Sequence, residues 1–272
     1  MSGTGVNGAE TRAGSGDAAS RAVATGVSGA SGAGTGSTGL LGLVTIGQSP
    51  RTDVLADLAP LLAGRAFVEH GALDDLDEHD SEAFAVVAPE SDETPLVSRL
   101  RTGASVQIGH RALLPRLEAA IERCAADGAD AVLLMCTGHF EPVPARIPVY
   151  DAESLAQASV VEQVGDTAFG VLTPVAGQVE ESRDRWAARM GRAVDVAPCN
   201  PYSATPADVA SAAVALVAAS ADQAPRLAWI VLDCFGYTAE QAAAVAQATG
   251  CAVLLTRTEA ARRALTLIDD RA

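Results

Sequence analysis

AVLLMCTGHF (131–140) and WIVLDCFGYT (229–238) decide the fold. Each is an apolar run followed by Cys-x-Gly and then His or Tyr. A continuous apolar run of this length suits a strand covered on both faces. A second pair of segments echoes in the same way. GLVTIGQ (42–48) and GVLTPVAGQ (170–178) are each an apolar strand, a Thr, then Gly-Gln. Both halves of the chain carry the Gly-Gln strand first and the Cys strand later. One matched pair arises easily by chance; two pairs in the same order point to an internal repeat. The pattern predicts an α/β fold of two pseudo-symmetric lobes, with mainly parallel sheets flanked by helices and a cysteine ending one strand of each lobe.

Outward from these segments the chain alternates strand and helix. LLGLVTI (40–46), RAFVEH (65–70), AFAVVA (83–88), IPVY (147–150), FGVLT (169–173), a short run near 193–197 and CAVLL (251–255) are expected strands. Helices are expected over 53–62, 112–126, 152–164, 177–190, 206–220, 238–248 and 257–268. The first lobe then spans 39–165, completed by a helix at 257–270, and the second spans 166–256. Residues 1–38 are rich in Gly, Ser and Ala, with four charged residues and no hydrophobic period. Such a segment cannot offset the entropy of ordering and is expected to be a disordered tail. Gly34, Gly36 and Gly39 spell GxGxxG, but ahead of the first strand rather than after one, so they are not a dinucleotide fingerprint.

Composition narrows the chemistry. Aromatic residues make up 4% of the 272, so the core must be built from Val, Leu, Ile and Ala. The net charge is −15 and no basic block occurs, which argues against a nucleic-acid partner. All 19 basic residues are Arg. Without lysine there can be no pyridoxal-phosphate Schiff base, P-loop lysine or lysine nucleophile, and no cofactor is expected. The five cysteines (124, 136, 199, 234 and 251) form no CxxC and no zinc-finger spacing with histidine. Asp74, Asp75, Asp77, His79 and Asp80 are taken as solvated loop residues, so no metal is expected. No apolar run reaches membrane-spanning length and no signal-peptide pattern is present. The expectation is a cytoplasmic protein with free thiols, no membrane partner, and room for a homo-oligomer.

The carboxyl ends of parallel strands are where ligands bind in open α/β sheets. Cys136 and Cys234 would stand there, with Gly138 and Gly236 allowing backbone N–H groups close to a ligand. Helix N-termini beside these turns would favour a small carboxylate-bearing molecule and lower the thiol pKa toward neutrality. Two facing thiols could take a proton from one face of a carbon and return one to the other, giving racemisation or epimerisation without metal or lysine. A single reactive thiol would instead support decarboxylation or cis–trans isomerisation of a small dicarboxylate. A non-catalytic small-acid binder or sensor is the alternative from outside enzymology. Arg51, Gln48 and Ser49 are candidate substrate contacts after the first strand. Thr137 beside Cys136 and Tyr237 near Cys234 complete the set. His139, Asp233 and Tyr202 fit structural roles as well as functional ones, and Cys124, Cys199 and Cys251 fit packing.

TIGQSPR (45–51), LLMCTG (133–138), NPY (200–202) and LDCFGY (232–237) resemble the AroM family. That family is similar in fold to the Asp/Glu racemase superfamily, which includes glutamate, aspartate and hydantoin racemases, maleate isomerase and arylmalonate decarboxylase. The resemblance extends over nearly all of 40–268 and implies a two-lobe fold with its active site between the lobes. Its paired Cys motifs are retained in this sequence at Cys136 and Cys234. TIGQSPR stands where the amino-acid racemases carry Asp-Ser-Gly, a departure from the signature of those enzymes at the first strand.

Overall fold

In a computed structural model, residues 39–77, 79–220 and 226–271 can be described. The expected tail, 1–38, lies outside the described residues. Ten strands and seven α-helices follow: β1 (Leu41–Thr45), α1 (Thr52–Leu62), β2 (Phe67–Gly71), β3 (Leu96–Arg99), β4 (Ser105–Ile108), α2 (His110–Ala126), β5 (Ala131–Leu134), β6 (Val149–Asp151), α3 (Ala152–Val164), β7 (Phe169–Thr173), α4 (Val179–Met190), β8 (Asp195–Pro198), α5 (Pro206–Ala219), β9 (Trp229–Leu232), α6 (Ala239–Thr249), β10 (Ala252–Leu255) and α7 (Thr256–Asp269).

Two four-stranded parallel sheets form, ordered β2-β1-β5-β6 and β8-β7-β9-β10. Counted among the strands of each sheet, both orders are 2-1-3-4. The registers also match. Leu41 faces Ala131 and Val44 faces Leu134, while Phe169 faces Trp229 and Leu172 faces Leu232. Beyond the strands, Met135 N–H donates to Val44 and Asp233 N–H to Leu172, so each cysteine is delivered by the same backbone path. The mixed α/β architecture with parallel sheets flanked by helices is therefore the one the repeat implied.

Strand alternation sorts each sheet into two apolar faces. Val44, Val132, Leu134 and Cys136 pack with α2 through Leu113, Leu117 and Ile121. Leu43, Leu133 and Met135 pack on the opposite side with Val54 and Leu58 of α1, Ala156 of α3 and Ala260 and Ala264 of α7. The last helix thus returns to the first sheet. In the second sheet, Ile230, Leu232 and Cys234 face α5 and α6, while Val171 and Val231 share a core with Val160, Val164 and Trp186. Trp186 is fully buried, edge-on to Phe169 at 5.6 Å, and its indole N–H donates to Asp233 at 2.8 Å. Truncating such a side chain costs about 3–5 kcal/mol.

Two local expectations change. AFAVVA (83–88) is not a strand; Ser81–Val87 is a 3-10 helix, with the Asp80 carboxylate accepting the Glu82 N–H. The reason is periodicity. Strand alternation would bury Phe84 and Val86 together, but Val86 is 62% exposed and it is Val87 that is buried. A three-residue repeat matches the turn of a 3-10 helix. An antiparallel hairpin, β3–β4, appears where no element was expected, with Leu96 opposite Ile108 and Arg99 opposite Ser105.

Candidate active site

Cys136 and Cys234 line one cavity, together with Met135, Thr137, Gly138 and His139 from the first loop and Asp233 and Phe235 from the second. Leu96, Val97 and Ser98 of the β3–β4 hairpin, His110, Gln178, Glu181, Arg185 and Tyr202 close its walls. The two thiols sit in matching frames. Gly138 N–H points at Cys136 Sγ at 3.3 Å, and Gly236 N–H points at Cys234 Sγ, also at 3.3 Å. Both glycines permit close packing. A Cβ on Gly138 would lie 2.4 Å from Leu96, and one on Gly236 would lie 2.5 Å from the Tyr202 ring.

The helix N-termini do not serve the thiols as expected. No helix begins after Cys136, because Pro142, Pro144 and Pro148 interrupt the segment leading to β6. After Cys234, α6 begins at Ala239, but that first N–H donates to Asp57 at 2.8 Å and the cap is Thr238. Burial instead dominates both thiols and raises them, Cys234 to about 11 and Cys136 further. The Gly236 N–H, Tyr202 and Arg51 partly offset burial at Cys234, while Asp233 opposes them. At Cys136 the Gly138 N–H offsets it, but Cys234, Asp151 and Glu153 add to it.

The remaining candidates divide by position. Thr137 and Gly138 face the cavity. Gln48 does not: it is fully buried, its amide donates to the Leu73 and Leu76 carbonyls, and its oxygen accepts the Arg101 N–H. Ser49 donates to Asp74 at 2.7 Å, and Asp74 also accepts the Gly71 N–H. Tyr237 is buried with its hydroxyl on the Cys199 carbonyl, and Gly236 packs under Tyr202. Arg51 stands one layer behind the cavity. Its guanidinium forms a two-point pair with Asp53 at 2.8 and 2.9 Å, and donates to Thr45, Ser98 and Tyr202 at 3.1, 3.3 and 3.5 Å. With every donor engaged, it is not placed to grip a ligand.

Other residues supply the polar wall. Arg185 of α4 lies 2.8 Å from Glu153 and 3.4 Å from Asp233. Glu153 is raised by burial, which outweighs Arg185 and a 3.0 Å contact to His139. His110 is lowered by burial, so its neutral form is favoured. Gln178 takes a hydrogen bond from Thr173 and donates to the Pro95 carbonyl at 2.7 Å, joining the second lobe to the hairpin. Gln178 was within reach of sequence reasoning, since it ends the repeated Gly-Gln segment. Arg185, Glu181 and His110 carry no local signal.

Among the described residues, no group of three or more His, Cys, Asp or Glu is arranged to hold a metal ion. Nor is any helix there long and apolar enough to cross a membrane. In the acidic stretch, Asp75 pairs with Arg116 and the Asp77 carboxylate accepts the His79 N–H.

Solved structures share the fold at low identity. The Francisella tularensis glutamate racemase in complex with D-glutamate matches with a TM-score of 0.55 and 11% identity, over 86% of this chain and 82% of that one. The Picrophilus torridus aspartate racemase gives 0.52 and 8%, over 85% and 94%. An arylmalonate decarboxylase gives 0.50 and 15%, over 84% and 92%. No curated protein matches the chain by sequence. The family model described as AroM protein matches residues 41–268, nearly the whole of both lobes and both cysteine loops, and the chain belongs to the AroM family.

Proposed function

We propose that this protein is a pyridoxal-phosphate- and metal-independent isomerase of racemase or epimerase type, acting on a small carboxylate-bearing molecule through Cys136 and Cys234. The carrying observation is that the two thiols, presented by matching backbone frames from the two lobes, line one cavity. In this reading the lobes 39–165 with 257–270 and 166–256 each supply one thiol, to opposite faces of the reacting carbon. One thiolate takes the proton as the C–H bond breaks, and the electron pair delocalises into the adjacent carboxylate. The other thiol then gives its proton to the opposite face and becomes the thiolate. Solvent exchange restores the starting state, so no redox partner is needed. Thr137 and the backbone at Gly138 would hold the substrate beside Cys136.

The racemases and the decarboxylase that share the fold are compatible with this chemistry but do not choose within it. The unequal surroundings of the two thiols favour a second reading, decarboxylation or cis–trans isomerisation at a single thiol. The test is α-hydrogen exchange in deuterated solvent across a panel of small α-substituted carboxylates and dicarboxylates. Cys136→Ala and Cys234→Ala should each lower exchange by about 10²–10⁴-fold. Exchange retained in both variants sinks the two-thiol mechanism, and loss of carbon dioxide selects the single-thiol one. With Cys234 raised to about 11, exchange should also climb roughly tenfold per pH unit between about 7 and 9. A flat profile there would mean that the thiolate is not the base.

A further inference from the structure

The two thiol loops share a backbone frame but not their neighbours. Tyr202 sits over the Cys234 loop, where the absence of a Cβ on Gly236 lets the ring approach. Its own loop is pinned twice: Asn200 accepts the Tyr202 N–H at 2.9 Å, and Gln241 of α6 donates to the Pro201 and Ala204 carbonyls. The Tyr202 hydroxyl meets Arg51 at 3.5 Å, and the guanidinium lies 5.6 Å from the ring centroid. Asp53, Thr45 and Ser98 hold the rest of that guanidinium, so it cannot swing away.

We propose that Tyr202 and Arg51 are positioning residues that make Cys234 the more readily ionised thiol and hence the base, leaving Cys136 as the proton donor. This assigns roles within the two-thiol reading and rests on it. The chemistry is directional. The ring stands on the Cys234 loop and Tyr202 favours the ionised form of that thiol; because Arg51 donates to the tyrosine oxygen, the hydroxyl keeps its own proton to donate. A hydroxyl polarised by a fixed cation is a stronger donor to an anion than a neutral one. Tyr202 itself stays protonated, since burial raises it well above its ordinary value.

Among the described residues, Cys136 has no counterpart to this pair. Leu96 packs over its Gly138, and the carboxylates of Asp151 and Glu153 oppose its ionisation. The other charged groups around the cavity do not reverse the difference. Arg185 is engaged by Glu153, Glu181 and Asp233, His139 by Glu153, and His110 favours its neutral form. Asp233 opposes ionisation of Cys234 from its own strand, and Tyr237 is turned to Cys199.

Labelling the cysteines of the full chain with ¹³C at Cβ reads each ionisation directly, with assignments from single Cys→Ser variants. Cys234 should titrate at lower pH than Cys136 in the unaltered protein. Tyr202→Phe keeps the ring and removes the hydroxyl, and should raise the Cys234 midpoint by about one pH unit, a tenfold loss of thiolate, while Cys136 stays in place. The proposal is overturned if Cys136 titrates first, or if a folded Tyr202→Phe protein leaves Cys234 unmoved. Should that variant not fold, the order of the two thiols in the unaltered protein still decides. No substrate enters these titrations, so a failed exchange experiment and a failed titration are separate results.

Discussion

Gln48 and Gln178 end the same repeated segment, and the molecule uses them in opposite directions. Gln48 turns into its own lobe, where three backbone partners in 73–101 saturate its amide. Gln178 turns outward, lines the cavity and binds the hairpin of the other lobe. The strands impose the same backbone on both halves, but the groups standing opposite each turn differ. A repeat therefore transmits geometry more faithfully than it transmits role. The cysteine loops give the same lesson, with matched N–H to sulfur contacts and unmatched surroundings.

The largest stability contrast should come from the glutamines. Gln48→Ala removes the hydrogen bonds to the Leu73 and Leu76 carbonyls and from the Arg101 N–H, and should cost about 3 kcal/mol in urea unfolding, against about 1 kcal/mol for Gln178→Ala. Equal losses would mean that the inter-lobe bond carries as much stability as the internal one. The glycines come next. Gly236→Ala forces a rigid ring and Pro201 aside and should cost about 2 kcal/mol, whereas Gly138→Ala meets the end of a leucine and should cost about 1 kcal/mol or less. Reversal of that order would show that the Tyr202 loop yields more readily than Leu96.

The smallest contrast concerns β2 and β8. Glu69 faces Leu43 at the place where Val196 faces Val171 in the other sheet. Burial raises Glu69 to about 7, outweighing the Arg51 N–H and charge that favour its ionised form. Below about pH 4.5 both folded and unfolded chains hold this proton, and the folded state carries no penalty. Between there and about pH 7 the unfolded chain releases it first, so stability falls as pH rises. Glu69→Gln should remove a decline on the order of 1 kcal/mol over that window, measured by thermal unfolding at each pH. An unchanged pH profile in Glu69→Gln would place the proton on another group.

Much of the fold was legible because doubly covered strands write themselves as unbroken apolar runs. The ends of those runs located Cys136 and Cys234, and with them Thr137 and Gly138. AFAVVA misled because a short apolar run satisfies more than one periodicity, and solvent at Val86 settled which. Arg51 looked available because its neighbour Asp53 is two residues away in a helix whose first turn had to fold back on it. Part of the polar wall was not legible: Arg185 meets Glu153 from a different helix, and Glu153 looked like an ordinary first-turn residue of α3.

By itself, the sequence determined two repeated α/β lobes, a thiol at an equivalent strand end in each, and the absence of lysine chemistry. These follow from residue type and local period. The tertiary structure decided which polar groups reach the cavity, that burial rather than a helix dipole governs the thiols, and that Tyr202, backed by Arg51, packs on the loop of Cys234. Arg51 and Tyr202 are 151 residues apart in the chain, and their contact exists only because two separate lobes fold against each other. Electrostatic influence depends on distance and surrounding solvent, and no local pattern of residues encodes either one.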